Sequence, residues 1–395
     1  MADFENSTMY DVHDIMNSVT NREENNKFYC HMKNADGKEW LLDAGSGKSV
    51  RTGLNIYEPI SSKGKLIKKM LPCLHRIFCG LHLFGFEQTA FSFNDEIVQT
   101  VAKVFETDAD KLHFNFFLGT PSVHQKIVIQ VDCGSNVLGY IKLSNNPEVI
   151  EAFKREYSFL NWLGTKNISN VPKGLYCSSL QEFPEITMFI QTSQKEKGSF
   201  NDSALNDQVL SFLQELHIKT ECAVLFEDSE FYAVLCEITQ NIIKYPADKE
   251  KLTKIVNEII AQNSGQTMNY SAYHGDLTPW NSFYNPRQGA GSKFFAFDFE
   301  YAGKTFPAYL DAYHWLVSVG IFENHYGAEE IIAAFEDKKE ELKNYDPSPE
   351  ISLVLYLTAQ ISLYLKREKG QLSGRELENM KIWGALLEHF SDELL

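Results

Sequence analysis

The chain has few cysteines and no long apolar run. Its 395 residues include seven cysteines, and none of them forms a Cys-x-x-Cys pair. A disulfide framework or a cysteine-rich zinc site is therefore not predicted. The longest apolar stretch, residues 351–365, contains a glutamine. It is shorter than the roughly 20 residues that cross a bilayer, so it predicts a buried helix.

Basic residues are scarce relative to acidic ones. Lys and Arg total 37 against 53 Asp and Glu, a net charge of −16, which argues against a general nucleic-acid-binding protein. Residues 1–198 hold 21 basic and 23 acidic side chains (−2), whereas residues 199–395 hold 16 and 30 (−14). The first residues lack a basic segment followed by an apolar one, so no secretory signal is predicted and a cytoplasmic location is expected.

Strand-like patterns cluster in the first half of the chain, and helical patterns dominate the second. The predicted elements are, in order, a polar terminus at 1–26, short strands at 27–58, a basic amphipathic helix at 63–86, a helix at 94–109, strands at 113–119, 126–132 and 137–143, a helix at 147–163, strands at 174–180 and 185–192, and a mostly helical remainder. Three regions follow from this α+β pattern: an accessory region of unassigned role (1–93), a lobe with a small antiparallel sheet (94–192) and a helical lobe (193–395).

The most informative segment is residues 273–303. It contains His274, Asp276 and Asn281 and, after a turn and an apolar strand, Asp298. Phosphoryl transfer needs a carboxylate that aligns the attacking hydroxyl and accepts its proton. It also needs oxygen ligands that hold Mg²⁺ against the phosphates, and one amide oxygen with one carboxylate is a sufficient contribution from the protein.

These residues carry a family resemblance. HGDLTPWN (274–281) and FDFE (297–300) resemble the catalytic loop and the metal-binding strand of the aminoglycoside phosphotransferase and choline kinase branch of the protein-kinase-like fold. The resemblance implies a two-lobe α+β fold, here preceded by an extra N-terminal β/α region. It implies Asp276 as the catalytic base, His274 as a support of the loop, and Asn281 and Asp298 as Mg²⁺ ligands.

The first lobe has a second match to the same family. Lys142 lies in a strand pattern and Glu156 follows fourteen residues later in a helix pattern. Their order resembles the pair of the family in which the lysine binds ATP phosphates and the glutamate holds the lysine. Glu151 is the competing partner, nearer the start of the helix.

Further nucleotide contacts are implied by the resemblance. The loop FLGTPSVHQK (117–126) lies between two strands, where Gly119 and Ser122 present backbone N–H groups to phosphate. It departs from the family by lacking Gly-x-Gly-x-x-Gly. Residues 188–191, ending at Gln191, would be the connector that pairs with adenine.

The segment 48–86 lies outside the resemblance. Up to Arg76 it contains seven Lys and Arg side chains against one acidic residue, Glu58. One interpretation is contact with an anionic lipid surface or another polyanion. The other is a solvated basic face on a helix that belongs to the core. The composition leaves both open.

The sequence thus predicts an ATP- and Mg²⁺-dependent phosphotransferase. Its acceptor would be a hydroxyl of a small molecule, such as a sugar, an amino-alcohol or an aminoglycoside. The alternative is a catalytically inactive nucleotide-binding protein, or a membrane-peripheral scaffold, with the same fold.

Overall fold

The computed structural model describes residues 11–21, 26–34, 36–57, 62–82, 85–119, 121–122, 124–286, 292–368, 372 and 374–391. The chain divides into two compact units. The first extends to Asn161 and adds Pro172–Gly198, and the second consists of Trp162–Val171 and Ser199–Leu395. The predicted boundaries at 93/94 and 192/193 stay predictions. None of the helices in the described ranges has the length and apolarity that a membrane span requires.

The first unit is built on one antiparallel sheet. Its strands are β1 (Thr20–Asn21), β2 (Lys27–Lys33), β3 (Glu39–Asp43), β4 (Glu87–Phe93), β5 (Leu112–Phe117), β6 (Ile127–Cys133), β7 (Asn136–Ser144), β8 (Gly174–Ser179) and β9 (Thr187–Thr192). They are arranged in the order β1-β4-β2-β3-β5-β6-β7-β9-β8. The helices are α1 (Val12–Val19), α2 (Gly47–Gly53), α3 (Ser62–Gly80), α4 (Asp95–Val104) and α5 (Pro147–Thr165).

The accessory region joins the predicted sheet. The five strands expected after residue 112 are β5 to β9, and the accessory strands extend them at the β5 edge. Trp40 of β3 pairs with Phe117 of β5, and Leu41 pairs with Phe116. The described residues before 94 therefore add four strands to this sheet and form no separate sheet.

Both faces of the accessory strands are covered. Side chains alternate along a strand, so neighbouring residues of β2 enter different cores. Tyr29 packs in a large core with α1 and α4, whereas Cys30 packs with α2 and α3. The prediction of a polar terminus at 1–26 is wrong for α1. Its apolar residues are spaced three or four apart and are buried: Val12, Ile15, Met16 and Val19.

A buried polar network lies on the face of β5 and β6 that is turned toward α2. Asp132 accepts hydrogen bonds from Nδ2 of Asn115 at 2.8 Å and from Nε2 of Gln130 at 2.9 Å. The same Nε2 donates to the carbonyl oxygen of Thr52 in α2 at 2.9 Å. These bonds attach α2 to the sheet. Burial raises the pKa of Asp132 to about 7, because desolvation penalises the carboxylate.

The second unit is mainly helical, as predicted, and it also contains small sheets. Its helices are α6 (Asp207–Thr220), α7 (Glu230–Asn241), α8 (Lys249–Asn263), α9 (Leu310–Phe322), α10 (Ala328–Leu342), α11 (Pro349–Arg367) and α12 (Gly374–Phe390). Its strands are β10 (Cys222–Leu225), β11 (Thr267–Tyr273), β12 (Ser282–Pro286), β13 (Ser292–Ala296) and β14 (Gly303–Phe306). Strands β12 and β13 form an antiparallel two-stranded sheet, and β10, β11 and β14 form a three-stranded sheet.

Two helices form the centre of the second unit. Almost every residue of α9 is buried, and α11 contains the apolar stretch 351–365 as a buried helix, as predicted. Leu353, Tyr356 and Leu357 of α11 are inaccessible to solvent. Burial on all sides makes α9 a fixed support for the polar groups that it carries.

We predict that Asp132→Asn flattens the pH dependence of stability. Asp132 titrates near 3.8 in the unfolded chain and about 7 in the folded one. The folded state therefore holds the extra proton, and its stability falls as pH rises through this window, by about 1.4 kcal/mol per unit of pKa difference. The amide that replaces the carboxyl group does not titrate in this range.

Urea unfolding of both proteins between pH 5 and pH 8 measures this effect. The free energy of unfolding of the wild type should fall more steeply than that of the variant. Parallel profiles would show that Asp132 is ionised in the folded protein throughout this range.

Candidate functional site

A buried ion pair connects β7 to α5 in the first unit. Nζ of Lys142 lies 2.9 Å from Oε1 and 2.7 Å from Oε2 of Glu156. The side chains are 4% and 0% exposed. A charge buried this deeply is tolerated only when it is paired and hydrogen-bonded. Glu151, the competing partner, is exposed and pairs with Lys154 at 2.7 Å.

Strand alternation explains the position of Lys142. Its neighbours Ile141 and Leu143 point into the large core, so Lys142 points to the opposite face. There Nζ also lies 5.6 Å from the ring centre of Phe189. The ion pair that the resemblance implies is formed, and its role toward a nucleotide stays a prediction.

The predicted phosphate loop is only partly described. Gly119 has φ of 78°, and a Cβ there would lie 2.5 Å from the carbonyl oxygen of Lys126. Ser122 is exposed and its carbonyl oxygen accepts from the backbone N–H of Gln125 at 3.2 Å. Thr120 and Val123 lie outside the described residues. A role of Gly119 or Ser122 in phosphate binding stays a prediction.

The predicted adenine connector at 188–191 lies within the sheet, and its role toward a nucleotide stays a prediction. These residues form the interior of β9, which is paired with β7 on one side and β8 on the other. Gln191 lies opposite both Tyr140 and Gly174, so its backbone is within the sheet. The chain leaves the sheet only after Thr192. This is the end that the sequence predicted for the strand at 185–192.

In the second unit, the loop between β11 and β12 is fixed by one carboxylate. Asp311 of α9 accepts hydrogen bonds from the backbone N–H of His274 at 2.8 Å and of Gly275 at 3.0 Å. Burial raises the pKa of Asp311 to about 6, and the two N–H donors act in the opposite direction. Gly275 has φ of 83°, a region that favours glycine.

His274 holds two segments of this loop together. Its Nε2 donates to the carbonyl oxygen of Phe297 at 3.0 Å, and its Nδ1 accepts from the backbone N–H of Asp276 at 3.3 Å. Burial lowers the pKa of His274 to about 4, so the ring is neutral near pH 7. These contacts match a supporting role.

The carboxylate of Asp276 is bound by donors on both oxygens. Nδ2 of Asn281 lies 2.7 Å from Oδ2, and Nε2 of His314 lies 3.0 Å from Oδ1. The side chain of Asp276 is nevertheless 34% exposed. It is therefore held in one orientation and remains accessible to a reactant, as a general base must be.

Asn281 and Asp298 are brought together by the backbone. The N–H of Phe297, the residue before Asp298, donates to the carbonyl oxygen of Asn281 at 2.9 Å. Asp298 itself has φ of 68°, an uncommon conformation for a residue with a side chain. Strain of this kind is frequent at functional sites.

The donor set suits a magnesium ion. Because Nδ2 of Asn281 is bound to Asp276, its Oδ1 points elsewhere and accepts no hydrogen bond from the described residues. The carboxylate of Asp298 is only half-buried. No group of three or more His, Cys, Asp or Glu side chains within the described ranges is arranged to bind a metal. One amide and one carboxylate would leave the other positions of Mg²⁺ to water and phosphate.

Sequence reasoning missed two residues of this site, Asp311 and His314. They are three apart on α9, a spacing that places both on one side of a helix. These two polar side chains interrupt the apolar run LDAYHWLV, and that interruption could have identified them from the sequence. Ser318, one turn further on, lies 3.3 Å from Nε2 of His314.

Comparison with known proteins gives a likeness in structure. No protein-family model matches the chain, and no curated protein matches it. A protein from Ralstonia eutropha assigned as an aminoglycoside phosphotransferase superposes with a TM-score of 0.51 at 13% identity, covering 76% of this chain and 97% of the other. This chain has a protein-kinase-like fold. The predicted fold class is confirmed.

Two other similar structures have lower scores. An amicoumacin kinase in complex with AMP-PNP and Ca²⁺ has a TM-score of 0.44 at 15% identity, covering 75% of this chain and 92% of that one. An ethanolamine kinase from Plasmodium vivax has a TM-score of 0.42 at 13% identity, covering 88% and 95%.

We predict that Gly275→Ala destabilises the second unit more than Gly265→Ala does. Both glycines have positive φ, which costs an alanine about 1–2 kcal/mol. A Cβ at Gly275 would also lie 2.5 Å from the carbonyl oxygen of Tyr301, whereas nothing lies within 4 Å of one at Gly265. The first variant should lose about 3 kcal/mol or more, measured by urea unfolding. Equal losses would show that the loop moves freely away from Tyr301.

Proposed function

We propose that this chain is a phosphotransferase that moves the γ-phosphoryl group of ATP to a hydroxyl group of a small molecule. The observation that carries the proposal is the carboxylate of Asp276, which is bound on both oxygens, is accessible, and lies in a loop fixed by Asp311. The kinase-like fold supports it, since this loop and the ion pair of Lys142 occur in the order that the fold requires.

The proposed role of Asp276 is that of a general base. The acceptor oxygen forms a bond to the γ-phosphorus while the bond from that phosphorus to the β–γ bridging oxygen breaks, which releases ADP. The hydroxyl proton passes to the carboxylate of Asp276. Asn281 and His314 keep the carboxylate in the orientation that this transfer needs, since positioning contributes most of the catalysis in phosphoryl transfer.

Other residues are proposed to bind the nucleotide. Lys142 would bind its phosphates, with Glu156 holding the ammonium group in place, and Gly119 and Ser122 would donate backbone N–H groups. Asn281 and Asp298 would hold Mg²⁺, which neutralises charge on the phosphates when it is bound.

The acceptor is proposed to be a small molecule. The Ralstonia eutropha protein of the same fold is assigned as an aminoglycoside phosphotransferase, which acts on a small molecule. The acidic excess of residues 199–395 favours a cationic or neutral acceptor over an anionic one. We also propose a cytoplasmic location, because all seven cysteines are free thiols and such thiols persist in a reducing compartment.

We predict that Asp276→Asn lowers kcat by about 10²- to 10⁴-fold, the usual contribution of a general base. Nucleotide affinity should be unchanged, because this carboxylate serves the acceptor. The measurement is ADP release with ATP and Mg²⁺ across a panel of sugars, amino-alcohols and aminoglycosides. Asp207→Asn, the same change at an exposed position of α6, is the matched control.

Two results of this assay would contradict the proposal. Turnover near the wild-type rate in Asp276→Asn would show that Asp276 is not the general base. A wild-type protein that binds ATP and transfers phosphate to no acceptor in the panel would favour the alternative, an inactive nucleotide-binding protein.

We predict that His314 is a positioning residue for Asp276. A hydrogen bond to a charged group contributes about 1.5–3 kcal/mol, so His314→Leu should lower kcat by about 10- to 100-fold. The KM for ATP should not change. His314→Gln should recover part of the loss, because its amide N–H can reach Oδ1. Equal losses in both variants, together with lower thermal stability, would indicate a packing role only.

A further inference from the structure

Helix α3 has an outward face that the proposed function does not use. Residues 44–86 contain seven Lys and Arg side chains and one acidic residue, Glu58, in a chain with 53 acidic residues. Most of the described residues of this segment lie on α2 and α3. These helices pack against each other and against the core that contains Cys30, the second core of the first unit. We propose that the outer face of α3 docks on a membrane surface that contains anionic lipid.

An apolar stripe runs along this face. Its members are spaced four, three, four and four residues apart and are all exposed to solvent: Leu66, Met70, Cys73, Ile77 and Leu81. At about 100° per residue they fall within an arc of about 80°. Leu66 is 57% exposed, Ile77 51% and Leu81 66%, which is unusual for large apolar side chains.

A basic stripe runs beside it. Lys65, Lys69 and Arg76 are exposed and fall within about 40° of one another, next to the apolar arc. The buried residues Leu71 and Phe78 lie on the other side of the helix, facing the second core. The outward face of α3 is therefore half apolar and half basic.

The neighbouring elements add positive charge. Lys48 and Arg51 are exposed on α2, which packs beside α3. Lys68, by contrast, turns inward and donates to the carbonyl oxygen of Tyr57 at 2.6 Å. No acidic side chain occurs among the described residues 44–57 and 62–82, and Glu87 at the start of β4 is the next one along the chain.

This arrangement fits a lipid surface better than a solvated helix. A helix that lies in the interface buries an apolar strip among the acyl chains while its basic side chains contact anionic headgroups. The stripe from residue 66 to residue 81 is about 22 Å long, which suits contact along the membrane plane. The core-facing side of the same helix attaches the surface rigidly to the sheet.

Co-sedimentation with lipid vesicles tests the proposal on the full chain. The protein should pellet with phosphatidylcholine vesicles that contain phosphatidylserine, remain in solution with phosphatidylcholine alone, and dissociate at high salt, which screens the headgroups. Removing two lysines, by Lys65→Gln with Lys69→Gln, should raise the apparent Kd by tenfold or more. Leu66→Ser with Ile77→Ser should do the same. The proposal is wrong if the wild type stays in solution with phosphatidylserine vesicles.

Matched control substitutions show whether a loss of vesicle binding is specific to the outer face of α3. Ile243→Ser changes an apolar residue that is 75% exposed in the second unit, and Lys254→Gln changes an exposed lysine of α8. Both should bind vesicles as the wild type does. Weakening by the controls equal to that of the α3 variants would overturn the proposal. So would a wild-type dimer that the Leu66 and Ile77 changes convert to a monomer, since a second copy would then cover the stripe.

A second readout needs no substitution. Cys73 lies within the stripe and is exposed, whereas Cys236 is partly exposed in the second unit. Vesicles containing phosphatidylserine should slow alkylation of Cys73 by iodoacetamide severalfold and leave Cys236 unaffected, as located by mass spectrometry. An unchanged rate at Cys73 in vesicle-bound protein would place the contact elsewhere and contradict the proposal.

Discussion

A charged group that leaves water must find a charged or hydrogen-bonding partner, and this requirement determines the site geometry in each unit. Lys142 is buried because both oxygens of Glu156 bind its ammonium group. Asp311 is buried because it accepts two backbone N–H groups, and it thereby fixes the loop that carries Asp276. Removing either partner would leave an unpaired charge in an apolar environment. The polar groups proposed for catalysis are held in place by the same bonds that make their burial tolerable.

The local geometry that could be anticipated is that implied by the family resemblance, and the roles of its residues stay predictions. The loop 274–281 combines a histidine, a carboxylate and an amide at a spacing that few structural roles require. Lys142 in a strand and Glu156 in a helix were recognised because their order and spacing resemble those of the family's ion pair. The helical character of the second half followed from its periodicity.

The rest depended on tertiary contacts that local patterns do not record. The accessory strands could be seen as strands, but pairing between β3 and β5 joins segments more than seventy residues apart. Residues 188–191 were predicted both as part of a strand and as a connector, and the structure places them within β9, between β7 and β8. His314 lies 38 residues from Asp276 in sequence, and only the fold brings the two together. Which face of α3 is exposed could likewise not be predicted from the sequence, because it depends on where the second core lies.

The central claim is that this chain binds a magnesium-bound nucleotide, as the proposed phosphotransfer requires. Calorimetric titration of the full chain with AMP-PNP, with and without Mg²⁺, tests it most directly. The account predicts one nucleotide per chain, binding that depends on Mg²⁺, and a large loss of affinity in both Lys142→Met and Asp298→Asn. Absence of binding, or binding that neither Mg²⁺ nor the two substitutions affect, would contradict it.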